Sequence, residues 1–141
     1  KASTLKMIMD LLRTGKQDTF GRMDRDLIGY RILILFRSHN KKIGQDTSKK
    51  ILNVGCGNGE IQDCLYDAGY HQIFNNDISK EVIKQMNKIK NQKGHTEMIY
   101  EVMDVTSMTY PDKFFDLVLD KSTIDALLCS EHPFIQTALM L

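Results

Sequence analysis

The sequence predicts a single α/β domain in which parallel strands alternate with crossover helices. Three observations lead to this prediction. From Lys50 onward, short apolar runs alternate with longer segments of helical periodicity, which is typical of a parallel sheet. The first run leads directly into three glycines at alternate positions, and an acidic residue follows each of the next three predicted strands. A chain of 141 residues suits one hydrophobic core, so residues 1–141 are predicted to form one domain.

Within this domain, we expect an N-terminal helical segment (residues 1–45) and an α/β half (residues 50–141). Apolar residues at helical spacing over residues 5–12 and 27–36 predict two helices that cover one edge of the sheet. Residues 32–36 could equally be a buried strand, because a short apolar run does not reveal its period.

The composition is typical of a soluble globular protein, with 42% apolar and 26% charged residues. A formal net charge of +1 gives no strong indication of a nucleic-acid partner. No segment reaches the roughly 18 apolar residues that span a bilayer, so no membrane partner is expected. The three cysteines lack CxxC spacing, which argues against disulfides and against a zinc site. We therefore expect a cytoplasmic protein without a metal.

The first predicted strand covers residues 50–54, an apolar run that ends at glycine. The helix after it carries Ile61, Leu65 and Ala68 at helical spacing, and Gly69 suits its C-terminal cap. Strand, turn and helix together form the start of a βαβ unit.

A second strand is predicted over residues 72–76, and Ser79 lies where it would cap the next helix. Gly94 marks the end of that helix. Its predicted apolar face comprises Val82, Met86 and Ile89.

A third strand is predicted over residues 97–103 and a fourth over residues 114–119, after a turn indicated by Pro111 and Asp112. A last helix is expected to include residues 134–141. Asp116 falls inside the fourth predicted strand, so we interpret it as a structural or surface acid.

The glycine-rich turn between the first strand and helix is the strongest motif: Gly55, Cys56, Gly57, Asn58 and Gly59. Glycine is needed where the chain turns sharply and where a ligand approaches the backbone without meeting a Cβ atom. Amides at the helix start can then bind the ligand. A tight turn without a ligand is the alternative. Cys56 is interpreted as a packing residue, since no base lies nearby in the motif.

Asp77 follows Gly59 by 18 positions, close to the spacing of an acid that binds ribose hydroxyls. A dinucleotide site would have glycine at position 60, where this chain has Glu60. A carboxylate there would repel a pyrophosphate at the helix N-terminus. The zwitterionic methionine end of S-adenosylmethionine tolerates it better.

Two further acids, Asp104 and Asp120, follow the third and fourth predicted strands. Ligands of open parallel sheets bind outside the carboxyl ends of the strands, so these acids are expected to converge with Gly57 and Asp77 on one crevice. Each acid could instead cap a turn or a helix.

Together these residues resemble the class I S-adenosylmethionine-dependent methyltransferases, over residues 51–128. The segments LYDAGY, NNDIS followed by VIKQM, and LDKSTIDALL are similar to the eukaryotic lysine methyltransferases that modify translation elongation factor 1A. The family's usual DKGTLDA reads DKSTIDA here, with Ser122 in place of the glycine. The resemblance implies a Rossmann-like methyltransferase fold.

The resemblance also implies a binding role for each part of the site. The amides of residues 55–59 would face the methionine part of the cofactor. The residues implied to hold the nucleoside are Asp77 at the ribose hydroxyls, Ile78 on an adenine face, Asp104 at the adenine amino group, and Val105, whose amide would meet a ring nitrogen.

Asp120 and Lys121 would border the amino-acid end of the cofactor and the methyl group, and both are candidate catalytic residues. Lys121 could equally be a solvated or salt-bridged lysine. Asp120 is the candidate for orienting the acceptor amine. The implied reaction transfers a methyl group to a protein lysine, with elongation factor 1A as substrate and S-adenosylhomocysteine as product. The alternatives are methylation of a small molecule or a nucleic acid, and a noncatalytic subunit that binds the cofactor.

Members of this family continue through further strands, so we expect a truncated domain that lacks C-terminal strands and part of the acceptor pocket. A half-sheet would expose the edge of its fourth strand, which favours association through that edge. A homodimer is therefore expected.

Overall fold

The computed structural model describes residues 32–36, as backbone, and residues 46–140. Five strands form one sheet in the order β1-β5-β2-β3-β4. The elements are β1 (Ile32–Phe36), β2 (Ile51–Val54), α1 (Ile61–Asp67), β3 (Ile73–Asp77), α2 (Lys80–Lys93), β4 (Ile99–Val102), β5 (Leu117–Lys121), α3 (Thr123–Leu128) and α4 (Pro133–Met140).

The four strands from β2 to β5 are mutually parallel, as predicted. Helices α1 and α2 make the crossovers from β2 to β3 and from β3 to β4. The sheet therefore has the α/β architecture that alternating strand and helix patterns indicate. No helix in the described parts of the chain is long and apolar enough to cross a membrane.

Strand β1 corrects the helical prediction for residues 32–36, since these five residues form a strand as the alternative had it. It pairs antiparallel with β5, from Ile32 opposite Lys121 to Phe36 opposite Leu117. The expectation that the fourth parallel strand has an exposed edge is therefore wrong, because β1 covers it. The homodimer stays a prediction, but an exposed edge of β5 no longer supports it. The predicted helix over residues 5–12, residues 27–31 and Leu141 lie outside the described residues.

The core lies on both faces of the sheet because strand side chains alternate. On the α1 and α2 face, Ile51, Leu65 and Met86 are among the fully buried side chains. On the other face, Leu52 and Val54 are buried in a second apolar cluster, which α3, α4 and the 105–115 segment complete.

The predicted limits of helix α2 are confirmed by its capping groups. The Ser79 hydroxyl accepts a hydrogen bond from the Val82 amide, and Gly94 ends the helix in the left-handed conformation, with φ at 75°. Its buried face includes Ile83, which the predicted set omitted, together with Met86.

Strand β5 begins three residues later than predicted, because Phe114 and Phe115 belong to an aromatic cluster. Their rings pack edge-to-face 5.0 Å apart, and both contact Phe74 of β3. The strand ends at Lys121, which pairs with Ile32 of β1, and Asp120 therefore lies within it. Asp116 precedes the strand and accepts hydrogen bonds from the Lys50 amide and the Lys49 ammonium group, in line with the predicted structural role.

Candidate functional site

The carboxyl ends of the parallel strands bring the predicted site residues to one edge of the sheet. The glycine turn follows β2, and Asp77 is the last residue of β3. Asp120 in β5 lies opposite Val54 at the end of β2, and the Met103 amide beyond β4 donates to the Asp77 carbonyl. The glycine turn, Asp77 and Asp120 therefore lie at the same edge of the sheet, and their convergence on one ligand crevice stays a prediction.

The glycine turn has two glycines with the same backbone conformation but different surroundings. Gly55 and Gly57 both have φ at 54°, which disfavours residues with a Cβ atom. A Cβ atom on Gly55 would lie 2.1 Å from the Thr123 hydroxyl oxygen, whereas one on Gly57 would meet no atom within 4 Å. Gly55 thus lets α3 approach, and the Gly57 side of the turn is open.

Three successive amides of the turn are already hydrogen-bonded to the end of β3. The Gly55 amide donates to Asn76 Oδ1 at 3.2 Å, and the Cys56 amide donates to the Asn76 carbonyl at 2.8 Å. The Gly57 amide donates to Asp77 Oδ2 at 2.9 Å. In the described part of the chain, none of the hydrogen bonds uses the amides of residues 58 and 59. Of the five amides that were expected to face a cofactor, those of Asn58 and Gly59 therefore remain available as donors.

The Asp77 carboxylate is half-buried and each of its oxygens accepts one backbone amide. Oδ2 accepts from Gly57, and Oδ1 accepts from Ser79 at 2.9 Å. A carboxylate offers about four acceptor positions, so acceptor capacity remains for a ligand hydroxyl. The next side chain, Ile78, is 71% exposed, which is unusual for a large apolar residue directly after a central strand.

Asp104 is exposed and shapes the turn after β4. Its Oδ1 atom accepts the Thr106 amide at 2.8 Å and the Thr106 hydroxyl at 2.7 Å, and these bonds lower the pKa of the Asp104 carboxyl. The Val105 side chain is buried in the same apolar cluster as Leu52 and Val54. Asp104 thus caps a turn, which is the alternative that the sequence left open. Its second carboxylate oxygen, Oδ2, takes no part in these two bonds.

Asp120 caps helix α3, which is the alternative that its sequence position left open. Its two carboxylate oxygens accept the amides of Thr123 at 2.8 Å and Ile124 at 3.0 Å. The residue is only 2% exposed, and this burial raises the pKa of its carboxyl. Direct contact of Asp120 with an acceptor amine stays a prediction. In the structure, its carboxylate holds the start of α3 at this edge of the sheet.

The residues after Asp120 lie against the glycine turn. Lys121 Nζ is 3.9 Å from the position of a Cβ atom on Gly59. The Thr123 hydroxyl donates to the Val54 carbonyl at 3.0 Å, which joins the start of α3 to the end of β2. Ser122 between them has φ at 73°, a left-handed conformation that is uncommon for a residue with a Cβ atom.

Cys56 is buried in the core, as its predicted packing role requires. Burial and the nearby Asp77 carboxylate raise the pKa of its thiol to about 12, which leaves the thiolate scarce at neutral pH. The described residues contain no group of three or more His, Cys, Asp or Glu side chains that could hold a metal ion.

Sequence reasoning missed a set of fully buried amide side chains beneath the glycine turn. They are Asn53 in β2, Gln62 in α1, and Asn75 and Asn76 in β3. The available signal was the pair of asparagines in IFNND, since polar residues inside a central strand need hydrogen-bond partners.

Comparison with known proteins gives a consistent result for this part of the chain. A family described as a methyltransferase domain matches residues 52–135. The eEF1A lysine and N-terminal methyltransferase of Bos taurus is 51% identical over 84 residues, which are 60% of this chain and 12% of that protein. EEF1A lysine methyltransferase 4 of Bos taurus is 34% identical over 84 residues, which are 59% of this chain and 32% of that protein.

Among solved structures, the YcgJ protein of Bacillus subtilis aligns with a TM-score of 0.46 and 20% identity, over 50% of this chain and 30% of that one. The chain thus spans only 12% of the length of the eEF1A lysine and N-terminal methyltransferase and about a third of the lysine methyltransferase 4.

Proposed function

The chain belongs to the methyltransferase domain family, which matches residues 52–135. We therefore propose that it binds S-adenosylmethionine at the glycine turn and is part of a protein methyltransferase. One observation carries the proposal: an open glycine turn, a carboxylate with acceptor capacity and an exposed apolar side chain adjoin at the carboxyl edge of the sheet. They belong to Gly57, Asp77 and Ile78.

The methionine part of the cofactor suits the surface of the glycine turn. Its carboxylate needs donors or a positive charge, and the amides of Asn58 and Gly59 supply the donors. Lys121 Nζ, close to Gly59, supplies the positive charge. The side of Gly57 that a Cβ atom would occupy is empty, so the chain leaves room for a ligand there.

The nucleoside part suits the ends of β3 and β4. The acceptor positions that Asp77 keeps could take both ribose hydroxyls. The exposed Ile78 side chain offers an apolar face for the adenine ring, and covering it would remove about 71% of that side chain's surface from contact with water. Asp104 Oδ2 and the Val105 amide remain as candidates for the polar edge of the ring.

In the bound state, the cofactor would supply an electrophilic methyl group on a sulfonium centre. The task of the chain is then to hold this group in line with the acceptor, since no covalent intermediate is needed. The acceptor amine must be neutral to react, and free lysine has a pKa of about 10.4. Exclusion of water from the acceptor amine in the complex would lower that pKa by disfavouring the charged form.

A lysine of translation elongation factor 1A is the acceptor that we propose. Two relatives whose names specify this factor match about 60% of the chain, at 51% and 34% identity. The LDKSTIDALL segment, which borders the proposed methyl position, adds to this proposal because Thr123 bonds both Asp120 and the Val54 carbonyl, directly before the glycine turn.

Transfer of a tritium-labelled methyl group from S-adenosylmethionine to purified elongation factor 1A tests the proposal, with the complete protein as enzyme. Amino-acid analysis of the product should show labelled methyl-lysine. Elongation factor whose lysines have been chemically acetylated beforehand is the matched control and should take up little label, because an amide nitrogen is not nucleophilic. Cofactor binding without transfer to any protein would leave a noncatalytic binding subunit as the function.

A further inference from the structure

Strand β3 carries two fully buried asparagines in succession, and their side chains point to opposite faces of the sheet. Asn75 and Asn76 are both 0% exposed. Burial of an amide side chain costs free energy unless its hydrogen bonds are replaced, so an apolar pair would suit a central strand better. Both side chains form hydrogen bonds within the protein in place of those with water. On each face of the sheet, these hydrogen bonds connect the asparagine to one end of the glycine turn.

On the α3 and α4 face, Asn76 holds the first residue of the turn. Its Oδ1 atom accepts the Gly55 amide at 3.2 Å, and its Nδ2 atom contacts Met108 Sδ at 3.5 Å. Together with the Cys56 amide on the Asn76 carbonyl, this fixes how the chain leaves β2.

On the α1 and α2 face, a chain of amides reaches the last residue of the turn. Asn75 Oδ1 accepts from Asn53 Nδ2 at 3.1 Å, and the same nitrogen donates to Gln62 Oε1 at 3.3 Å. Gln62 Nε2 donates to the Gly59 carbonyl at 2.6 Å. Gln62 is 0% exposed, so water does not compete for this bond.

From this geometry we infer that Gln62 and Asn76 are positioning residues, which hold the two ends of the glycine turn in the shape that binds S-adenosylmethionine before the cofactor arrives. The inference rests on the proposed function. A turn with glycines at positive φ has many accessible conformations, so its shape depends on such external bonds. Ligand affinity falls in proportion to the fraction of molecules with the competent shape. The bonded atoms of both side chains are turned into the core, so they act through the turn and not on the cofactor.

The test replaces Gln62 by methionine, which keeps the length of the side chain and removes its hydrogen bonds. We expect the full 141-residue chain to bind S-adenosylmethionine about tenfold more weakly in isothermal titration, because the released Gly59 carbonyl lets the turn leave its binding shape. Gln72→Met is the matched control, since Gln72 Nε2 also donates to a backbone carbonyl, that of Ser48 at 2.7 Å, but before β3. That control should bind like the wild type.

A second variant, Gln62→Glu, separates positioning from general support of the fold. A buried glutamate that is protonated donates to the Gly59 carbonyl as Gln62 does, whereas the ionised form repels it. Its affinity relative to wild type should therefore recover as the pH falls. Because ionisation of a buried glutamate also lowers the stability of the fold, the affinities are compared at pH values at which circular dichroism shows the variant to be folded. This variant also serves if Gln62→Met does not fold.

Amide hydrogen exchange without cofactor tests the same inference independently of the proposed function. In Gln62→Met, the Gly57 amide, which donates to Asp77 Oδ2 in the wild type, should exchange about tenfold faster, with the amides of β2 unchanged. If the wild type binds no S-adenosylmethionine, the proposed function fails, but faster exchange still supports control of the turn by Gln62. Wild-type exchange in the turn, or wild-type affinity in both Gln62 variants, would overturn the inference.

Discussion

The contact between Gly55 and Thr123 gives a prediction whose size follows from the coordinates. A Cβ atom on Gly55 would lie 2.1 Å from Thr123 Oγ1 and 3.0 Å from its Cγ2 atom. Thr123 cannot move away cheaply, since its hydroxyl bonds the Val54 carbonyl and its amide bonds Asp120. Overpacking costs about 1–3 kcal/mol. The left-handed backbone adds about 1–2 kcal/mol, so Gly55→Ala should destabilise the protein by about 2–5 kcal/mol.

Urea unfolding of the single and double variants measures both contributions. In a Thr123→Ala background, the cost of Gly55→Ala should fall by about 1–3 kcal/mol, because the steric part is relieved. Gly57→Ala is the matched control: Gly57 has the same φ of 54° but no atom within 4 Å of a Cβ position. It should cost only the backbone part, about 1–2 kcal/mol. Equal costs at the two glycines, or an unchanged cost in the Thr123→Ala background, would refute this reasoning.

Three further predictions concern the same edge of the sheet. Ser122→Gly should raise the free energy of unfolding by about 0.5–1 kcal/mol, because it relieves a φ of 73°; a lower value would contradict the strain. Iodoacetamide at mildly alkaline pH should modify the exposed Cys129 and leave Cys56, whose pKa is about 12, unmodified by mass spectrometry until the protein unfolds. Burial raises the pKa of the Asp120 carboxyl above its usual value of 3.8. The stability that this carboxyl contributes is therefore complete below that value and is lost as the pH rises through the raised pKa. The free energy of unfolding, measured from about pH 4 to pH 8, should show this decline in wild type relative to Asp120→Asn.

Those parts of the fold that depend on local chemistry could be predicted from the sequence. The apolar run before the glycine turn and the Ser79 and Gly94 caps are visible in consecutive residues, because each depends on neighbours within a few positions. The parallel direction of strands β2 to β5 follows from the same alternation. In this way the sequence also located the edge where Asp77 and Ile78 lie.

Features that depend on distant partners could not be predicted. Whether Ile32–Phe36 is a helix or a strand is decided by its pairing with β5, which is more than 80 positions away along the chain. Burial of Asp120 depends on where β5 ends, and this strand pairs with β1 as far as Lys121. The hydrogen bond from Gln62 to Gly59 is local, but its meaning appears only when Asn53 and Asn75 are seen beneath it.

Ile78 offers a cleaner test of cofactor binding than Asp77. The Asp77 carboxylate also accepts the amides of Gly57 and Ser79, so its removal would disturb the turn itself. Ile78 is 71% exposed, and therefore Ile78→Ser should leave the stability nearly unchanged. Ile135→Ser, at a residue that is 63% exposed on α4, is the matched control.

The most direct measurement is isothermal titration of the 141-residue chain with S-adenosylmethionine, for wild type, Ile78→Ser and Ile135→Ser. Our account predicts saturable binding at one site in wild type and in Ile135→Ser. It predicts binding about tenfold weaker in Ile78→Ser, since the apolar contact with the adenine ring is lost. Absence of binding in the folded wild-type chain, or equal affinity in all three proteins, would contradict it.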